Sequence, residues 1–250
     1  MGLFKSKPKW INADREIALE EIEKLSNQKT LAVVAKGADD WQVGLAAVKK
    51  LTDQKIIADV AKSVVVDDLV RITAVDILTD QSAIVDYVIN ARIGTGSALV
   101  IAVGRLTDNV LAQRKYTELV KEATAWEVRK SAIENIADQV IIAEIAISDD
   151  MTLVREAAVM RVENQAVLGN IANDGAAGVS VRGIAISRIT DQGLLTHIAK
   201  NGIDWSARLL AADRLTDKTF SQKIYCDIAE NSEFSGAREA AKERLSKLAT

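Results

Sequence analysis

Apolar and polar residues alternate along this chain with the period of an α-helix, in blocks that recur every 26 to 30 residues. Take Ala18, Gly44, Arg71, Leu99, Arg129, Arg155, Arg182, Arg208 and Arg238 as a common anchor position. Positions one before and three, four and seven after the anchor are then almost always apolar or small, and they share one helical face. Three residues past the anchor stand Glu21 and then Ala47, Ala74, Ala102, Ala132, Ala158, Ala185, Ala211 and Ala241. A small residue there lets two helices approach closely. The position seven past the anchor runs Leu25, Leu51, Leu78, Leu106, Ile136, Val162, Ile189, Leu215 and Leu245. Each block thus predicts a first helix of about three turns, a tight joint such as Leu51-Thr52-Asp53-Gln54, and a second helix such as "IIADVAK" (56–62) or "LLTHIAK" (194–200).

Neither helix of a block can bury its apolar face alone, whereas stacking successive blocks buries it. The spacing therefore predicts an all-α fold, an α-solenoid in which about nine helical hairpins of 26–30 residues form one superhelical array. Residues 11–250 would make a single domain, preceded by a flexible tail over residues 1–10. The combination of "VREAAV" (154–159) with "LLTHIA" (194–199) resembles the HEAT-like repeat families over nearly the whole chain. The short blocks and their Val-Arg pairs are also similar to the leucine-rich repeat variant, and that second resemblance implies a second helix that is partly 3₁₀.

The third residue of the joint is Asn27, Asp53, Asp80, Asp108, Asp138, Asn164, Asp191 and Asp217 in the first eight blocks. All are residues that cap helix N-termini, typically worth about 1 kcal/mol. A rival reading pairs this acid with the anchor arginine, which falls inside the apolar face and needs partners there. Asp53 and Asp108 persist where the anchor is Gly44 or Leu99, and Arg155 persists where the acid is Asn164. Capping accounts for these exceptions, with an Arg–Asp ladder between units left as a second role.

Composition narrows the chemistry. The single proline and 4% aromatic content favour helices over a β-sandwich. A formal charge of −3 argues against a dedicated nucleic-acid binder. One cysteine, Cys226, and one histidine, His197, leave too few soft ligands for a zinc or iron–sulfur site and suggest a reducing, cytoplasmic setting. His197 occupies a slot filled elsewhere by Asp59, Glu144, Asn170 and Asp227, and Cys226 one filled by Ala58, Ala143, Gly169 and Thr196. Both read as ordinary repeat positions. Gly94-Thr95-Gly96 follows a helix and lacks the lysine of a phosphate loop. Acid pairs such as Asp39-Asp40 and Asp149-Asp150 precede first helices, where capping suffices. No catalytic, cofactor-binding or metal residue is expected, and no run approaches the roughly 20 apolar residues of a membrane span.

Two stripes remain as candidate binding surfaces. The position before the joint leucine carries Lys24, Lys50, Arg105, Arg161, Arg188, Arg214 and Arg244, interrupted by Ile77 and Asn135. It would be either a cationic rail or a row of salt bridges between blocks. The other stripe is apolar: Leu19, Leu45, Ile72 and Val100, giving way to Lys130, Glu156 and Gly183. Trp41, Trp126 and Trp205 share a slot three residues before the anchor and are expected to pack over the joint. In the tail, Gly2 and Ser6 fit the permissive pattern for N-myristoylation, with Lys5, Lys7 and Lys9 as an electrostatic second signal. The expected function is a non-catalytic protein–protein interaction scaffold; the alternative is a module for polyanions, either nucleic acid or an acidic membrane surface.

Overall fold

The computed structural model describes residues 14–63, 65–91 and 96–248. Among them every regular element is helical, with 17 α-helices and one 3₁₀ turn. The myristoylation pattern and most of the Gly94–Gly96 turn lie outside the described residues.

The described helices fall into two compact units, Met1–Asn135 and Ile136–Thr250. The first holds α1 (Arg15–Lys24), α2 (Gln28–Gly37), α3 (Trp41–Lys49), α4 (Gln54–Lys62), α5 (Asp68–Asp76), α6 (Gln81–Asn90), α7 (Gly96–Gly104), α8 (Asn109–Glu122) and α9 (Trp126–Ile133). The second holds α10 (Gln139–Ser148), α11 (Thr152–Val159), α12 (Gln165–Ala172), α13 (Val179–Arg188), α14 (Gln192–Asn201), α15 (Trp205–Asp213), α16 (Lys218–Asn231) and α17 (Ser235–Leu248). The division falls at the joint of the fifth hairpin.

Each unit is a two-layer stack in sequence order, the connectivity of an all-α solenoid. First helices lie side by side, α1 on α3 on α5 on α7 on α9 in one unit and α11 on α13 on α15 on α17 in the other. Second helices form the other layer, α2 on α4 on α6 and α10 on α12 on α14 on α16. The core lies between the layers. Ala47, Ala74 and Ala102 in the first unit, and Ala158, Ala185, Ala211 and Ala241 in the second, are all buried. Their lack of bulk sets the close spacing of the first helices. The joint residues Leu51, Leu78, Val162, Ile189 and Leu215 plug the end of the core. At Gly169 on α12 an added Cβ would stand 2.8 Å from the Leu194 methyls on α14, so a larger residue at this crossing would displace the Leu194 side chain.

The second helices are α throughout, of 8 to 14 residues, so the 3₁₀ character implied by the leucine-rich variant is confined to the connection Gly175–Ala177. There Gly178 adopts φ 82°, a left-handed conformation that glycine takes without steric cost. The ninth block contributes only one described helix. Helix α17 runs unbroken from Ser235 to Leu248, through the position where a ninth joint would fall. Among its residues only Ala237 and Ala241 are buried.

Candidate interaction surfaces

All eight acids or amides of the joints cap the helix that follows. Asp53 accepts from the N–H groups of Lys55 and Ile56, Asp138 from those of Val140 and Ile141, and Asn164 from those of Ala166 and Val167. Asn27, Asp80, Asp191 and Asp217 each reach a single N–H at the third helical position, and Asp108 accepts from Val110 and Leu111. The joint is a capping device.

The anchor arginines do not pair with these acids. Arg71, Arg129 and Arg182 are buried, and their guanidinium groups turn toward the connection that precedes their own helix. Arg71 donates to the carbonyls of Ser63 and Val66, Arg129 to those of Ala123 and Thr124, and Arg238 to those of Ser232 and Glu233. These carbonyls lie at or beyond a helix C-terminus, where no helical donor exists. The guanidinium fork supplies several donors at once. Where an acid is engaged, it belongs to another part of the fold: Arg182 meets Asp204, the cap of α15, at 2.5 Å, and Arg208 meets Asp227 at 2.6 Å. The Arg–Asp ladder between joints is thus replaced by clasps on the backbone.

One recurrent residue escaped the sequence reading. The joint is followed by glutamine in six of eight blocks, and its side-chain amide bridges to the joint of the next block. Gln54 accepts from the N–H of Thr79 at 2.7 Å and of Asp80 at 3.1 Å, while its amide nitrogen approaches the carbonyl of Ile77 at 3.5 Å. Gln28, Gln81, Gln139, Gln165 and Gln192 repeat the pattern one block further on each time; Gln165, for example, meets Thr190 at 2.7 Å and the Arg188 carbonyl at 3.4 Å. The chain turns too sharply at each joint for these backbone groups to find helical partners. A primary amide offers a donor and an acceptor side by side, as a peptide unit does.

The irregular fourth block obeys the same rule. Helix α8 carries an extra turn, with Asn109 in the usual glutamine position, and Gln113 one turn later donates to the Asn135 carbonyl at 3.0 Å. Helix α16 has the same extra turn, which places Gln222 in the equivalent position. Because α17 has no joint, Gln222 is exposed. The signal was legible as a glutamine recurring one residue after the cap.

The basic stripe lies against the ends of the preceding first helices. The Lys50 ammonium donates to the carbonyls of Ile22 and Glu23, and Arg105 to those of Val75 and Asp76 and to the Asp76 carboxylate. Arg188 donates to the Val162 carbonyl at 3.3 Å and Arg214 to that of Ile189 at 3.1 Å. Arg244 grips the Asp213 carboxylate with two nitrogens, at 2.7 and 2.9 Å, and Asp213 also accepts from the Tyr225 hydroxyl at 2.9 Å. The Asp213 carboxylate raises the Arg244 pKa, and burial, followed by the bond to Asp213, raises that of Tyr225. Arg161 is half-buried in the equivalent position. Cation and helix C-terminus attract through the helix dipole as well as by direct hydrogen bonding. Of the two readings of the sequence, a rail or a row of salt bridges, the second holds at Arg244 and in part at Arg105, and most of the other partners are carbonyls.

The apolar stripe at Leu19, Leu45, Ile72 and Val100 is half-buried, on first helices that pack side by side. Trp41 is 43% exposed, and Trp126 and Trp205 are half-buried at the starts of α9 and α15, so the tryptophans stand at the opposite end of the first helices from the joints. His197 is exposed on α14, its ring 3.4 Å from the Asn201 amide, and Cys226 is half-buried on α16.

On the outer face of the second helices, Lys36 pairs with Asp59 and Lys62 with Asp86, each linking one hairpin to the next. The Lys62 ammonium holds the Asp86 carboxyl below its ordinary range. An open cleft of about 730 Å³ lies between α4 and α6, lined by Asp53, Lys55, Asp59, Lys62, Asp80 and Asp86. Among the described residues no group of three or more His, Cys, Asp or Glu side chains is placed to hold a metal ion, and no helix is long and apolar enough to cross a membrane. No family model, curated protein or solved structure matches this chain, and the helical repeat fold rests on the packing of its consecutive hairpins.

Proposed function

We propose that this chain is a non-catalytic scaffold for protein–protein interaction, built from short HEAT-like repeats and working in the cytoplasm. The supporting observation is where the recurrent polar side chains point. Caps, glutamine bridges and arginine clasps all satisfy backbone groups of the array itself, so the residues that look most like a repeated active site maintain the fold. What differs from block to block is the outer surface of the helices, the part through which repeat arrays recognise partners. His197 and Cys226 stand alone at variable positions, without a neighbouring base or nucleophile between them, which supports a non-enzymatic role.

The polyanion-binding alternative depends on the basic stripe projecting into solvent. Lys50, Arg105, Arg188 and Arg214 instead donate to main-chain carbonyls, which favours the scaffold. The deciding experiment is affinity capture with cross-linking from the native organism, alongside heparin and single-stranded DNA binding at physiological salt. A stoichiometric protein partner with no polyanion binding is the expected result; salt-sensitive polyanion binding without a protein partner reverses the assignment.

A further inference from the structure

Successive second helices meet along a groove that most blocks of regular length fill with a side chain of their own. The third residue after the capping residue is Ile56, Ile141, Val167 or Leu194 in four such blocks, and all four side chains are half-buried. Leu194 shows what the slot does. Its methyls lie against Gly169, the fifth residue after the cap on α12, where an added Cβ would stand 2.8 Å away. The first block has Thr30 in this slot, with no described second helix before it, and the third block has Ala83. Ala83 on α6 and Ala58, the fifth residue after the cap on α4, both line the cleft of about 730 Å³. The cleft is the place of a side chain that the third block does not supply.

The rim of this cleft keeps negative charge that the fold does not neutralise. Lys36 pairs with Asp59, and Lys62 with Asp86. Asp53 and Asp80 cap α4 and α6, but each accepts only through Oδ1: Asp53 from the N–H groups of Lys55 and Ile56, Asp80 from the Ser82 hydroxyl at 2.6 Å and the Ala83 N–H at 2.9 Å. These donors are uncharged, and among the described residues neither Oδ2 accepts a hydrogen bond. Lys55, the remaining cation of the lining, is exposed and forms no ion pair among the described residues. The Ser82 hydroxyl and the Ala83 N–H, more than the Lys55 charge, hold the Asp80 pKa down. Two carboxylates thus stand against one ammonium.

We propose that this cleft receives from a protein partner the aliphatic side chain that the third block lacks, carried next to a lysine or arginine that meets the free Oδ2 atoms of Asp53 and Asp80. The inference rests on the scaffold reading and names the partner's anchor. The gap and its rim select the occupant together. An Ile, Leu or Val side chain completes the packing seen at Leu194, as a buried anchor does in a pocket. A neighbouring cation meets the sign of charge that the caps leave in place, which an acidic segment would not.

The probes are the peptide acetyl-Lys-Leu-Lys-amide and its counterpart with alanine for leucine, titrated into the intact chain with isotope-labelled alanine methyls and followed by NMR. Saturable shifts of the Ala58 and Ala83 methyl signals are expected with the leucine peptide, and at least tenfold weaker binding with the alanine peptide. Ala83→Ile gives the third block the side chain that Ile56 gives the second. That variant should melt no lower than the parent and bind the leucine peptide at least tenfold more weakly. Asn27 and Asn164 already cap helices in this chain, so an Asp53→Asn, Asp80→Asn double variant should stay folded while binding at least threefold more weakly and with less dependence on salt. Unmoved Ala58 and Ala83 signals, equal affinity for the two peptides, or an Ala83→Ile variant that melts lower or binds as the parent does overturns the site. Equal binding by the Asp53→Asn, Asp80→Asn variant overturns the cationic partner. Affinity capture separates these failures from that of the scaffold: a partner held equally by the parent and by Ala83→Ile overturns the cleft alone. A parent chain that captures no protein overturns the scaffold reading and the anchor with it.

Discussion

The side-chain carbonyl of Gln54 accepts a hydrogen bond from the backbone N–H of Thr79 at 2.7 Å, joining the start of one hairpin's second helix to the joint of the next. The contact joins residues 25 apart in sequence, nearly one full repeat, and the same bond recurs along the stack. It makes the sharp turn of each hairpin depend on the hairpin before it.

Substituting Gln54 or Gln165 by leucine leaves the joint's N–H groups and carbonyl without their amide partner. The expected cost is about 1–3 kcal/mol each, read from the shift of the urea midpoint. Gln222→Leu, at the equivalent position facing no joint, should change stability by less than about 0.5 kcal/mol. Equal effects at Gln54 and Gln222 would remove the bridging role.

At the caps, Asp138→Ala should cost about 1 kcal/mol through loss of the bonds to Val140 and Ile141. Asp138→Asn, which keeps an acceptor oxygen, should recover most of that. A titration of both variants with denaturant distinguishes capping from a charge-dependent role, in which Asn and Ala would be equally poor.

Reversing Arg188 and Arg214 to Glu sets carboxylates against the carbonyls of Val162 and Ile189. Their melting temperatures should fall, with each reversal costing about 1–2 kcal/mol, and heparin binding should be undetectable both before and after. Loss of a measurable heparin affinity with unchanged melting would instead place these side chains in a binding groove.

The pH dependence follows from Tyr225 and Asp227. Burial and the bond to Asp213 push the Tyr225 pKa up, so the folded chain keeps the hydroxyl protonated where the unfolded chain ionises. Stability from this group is complete below about pH 10 and is lost above it. Tyr225→Phe should flatten the alkaline limb of the stability curve. Arg208, and then Asn231, hold the Asp227 pKa down, as Lys62 does for Asp86. Those contributions are present above about pH 4 and decline as pH falls through the lowered folded values. Thermal melts from pH 2 to 11 test both limbs.

His197→Ala and Cys226→Ser should leave partner capture and melting unchanged, because one side chain is exposed and the other half-buried at variable slots. Loss of a function in either variant, with folding preserved, would reopen the question of catalysis.

By itself the sequence determined the secondary structure and its repetition. Helical periodicity, the alanine three past the anchor in eight of nine blocks and a capping residue at each of the first eight joints are local properties, and each acts within one hairpin. They suffice to predict an all-α solenoid and to interpret the joint. What only tertiary structure decided is the destination of the long polar side chains. Arg71 and Arg182 lie inside the apolar face on any helical wheel, yet the wheel cannot show that a guanidinium folds back to carbonyls of the preceding connection. Gln54 was visible in the repeat, but its partners belong to the next hairpin and exist only once two hairpins stack. Arg188 and Arg214 could be read either as a rail or as salt bridges, and not as partners of main-chain carbonyls, because a sequence does not show which helix end lies across from a side chain. Flexible side chains with several donors take whatever unsatisfied groups packing brings within reach, and that proximity is a property of the assembled stack.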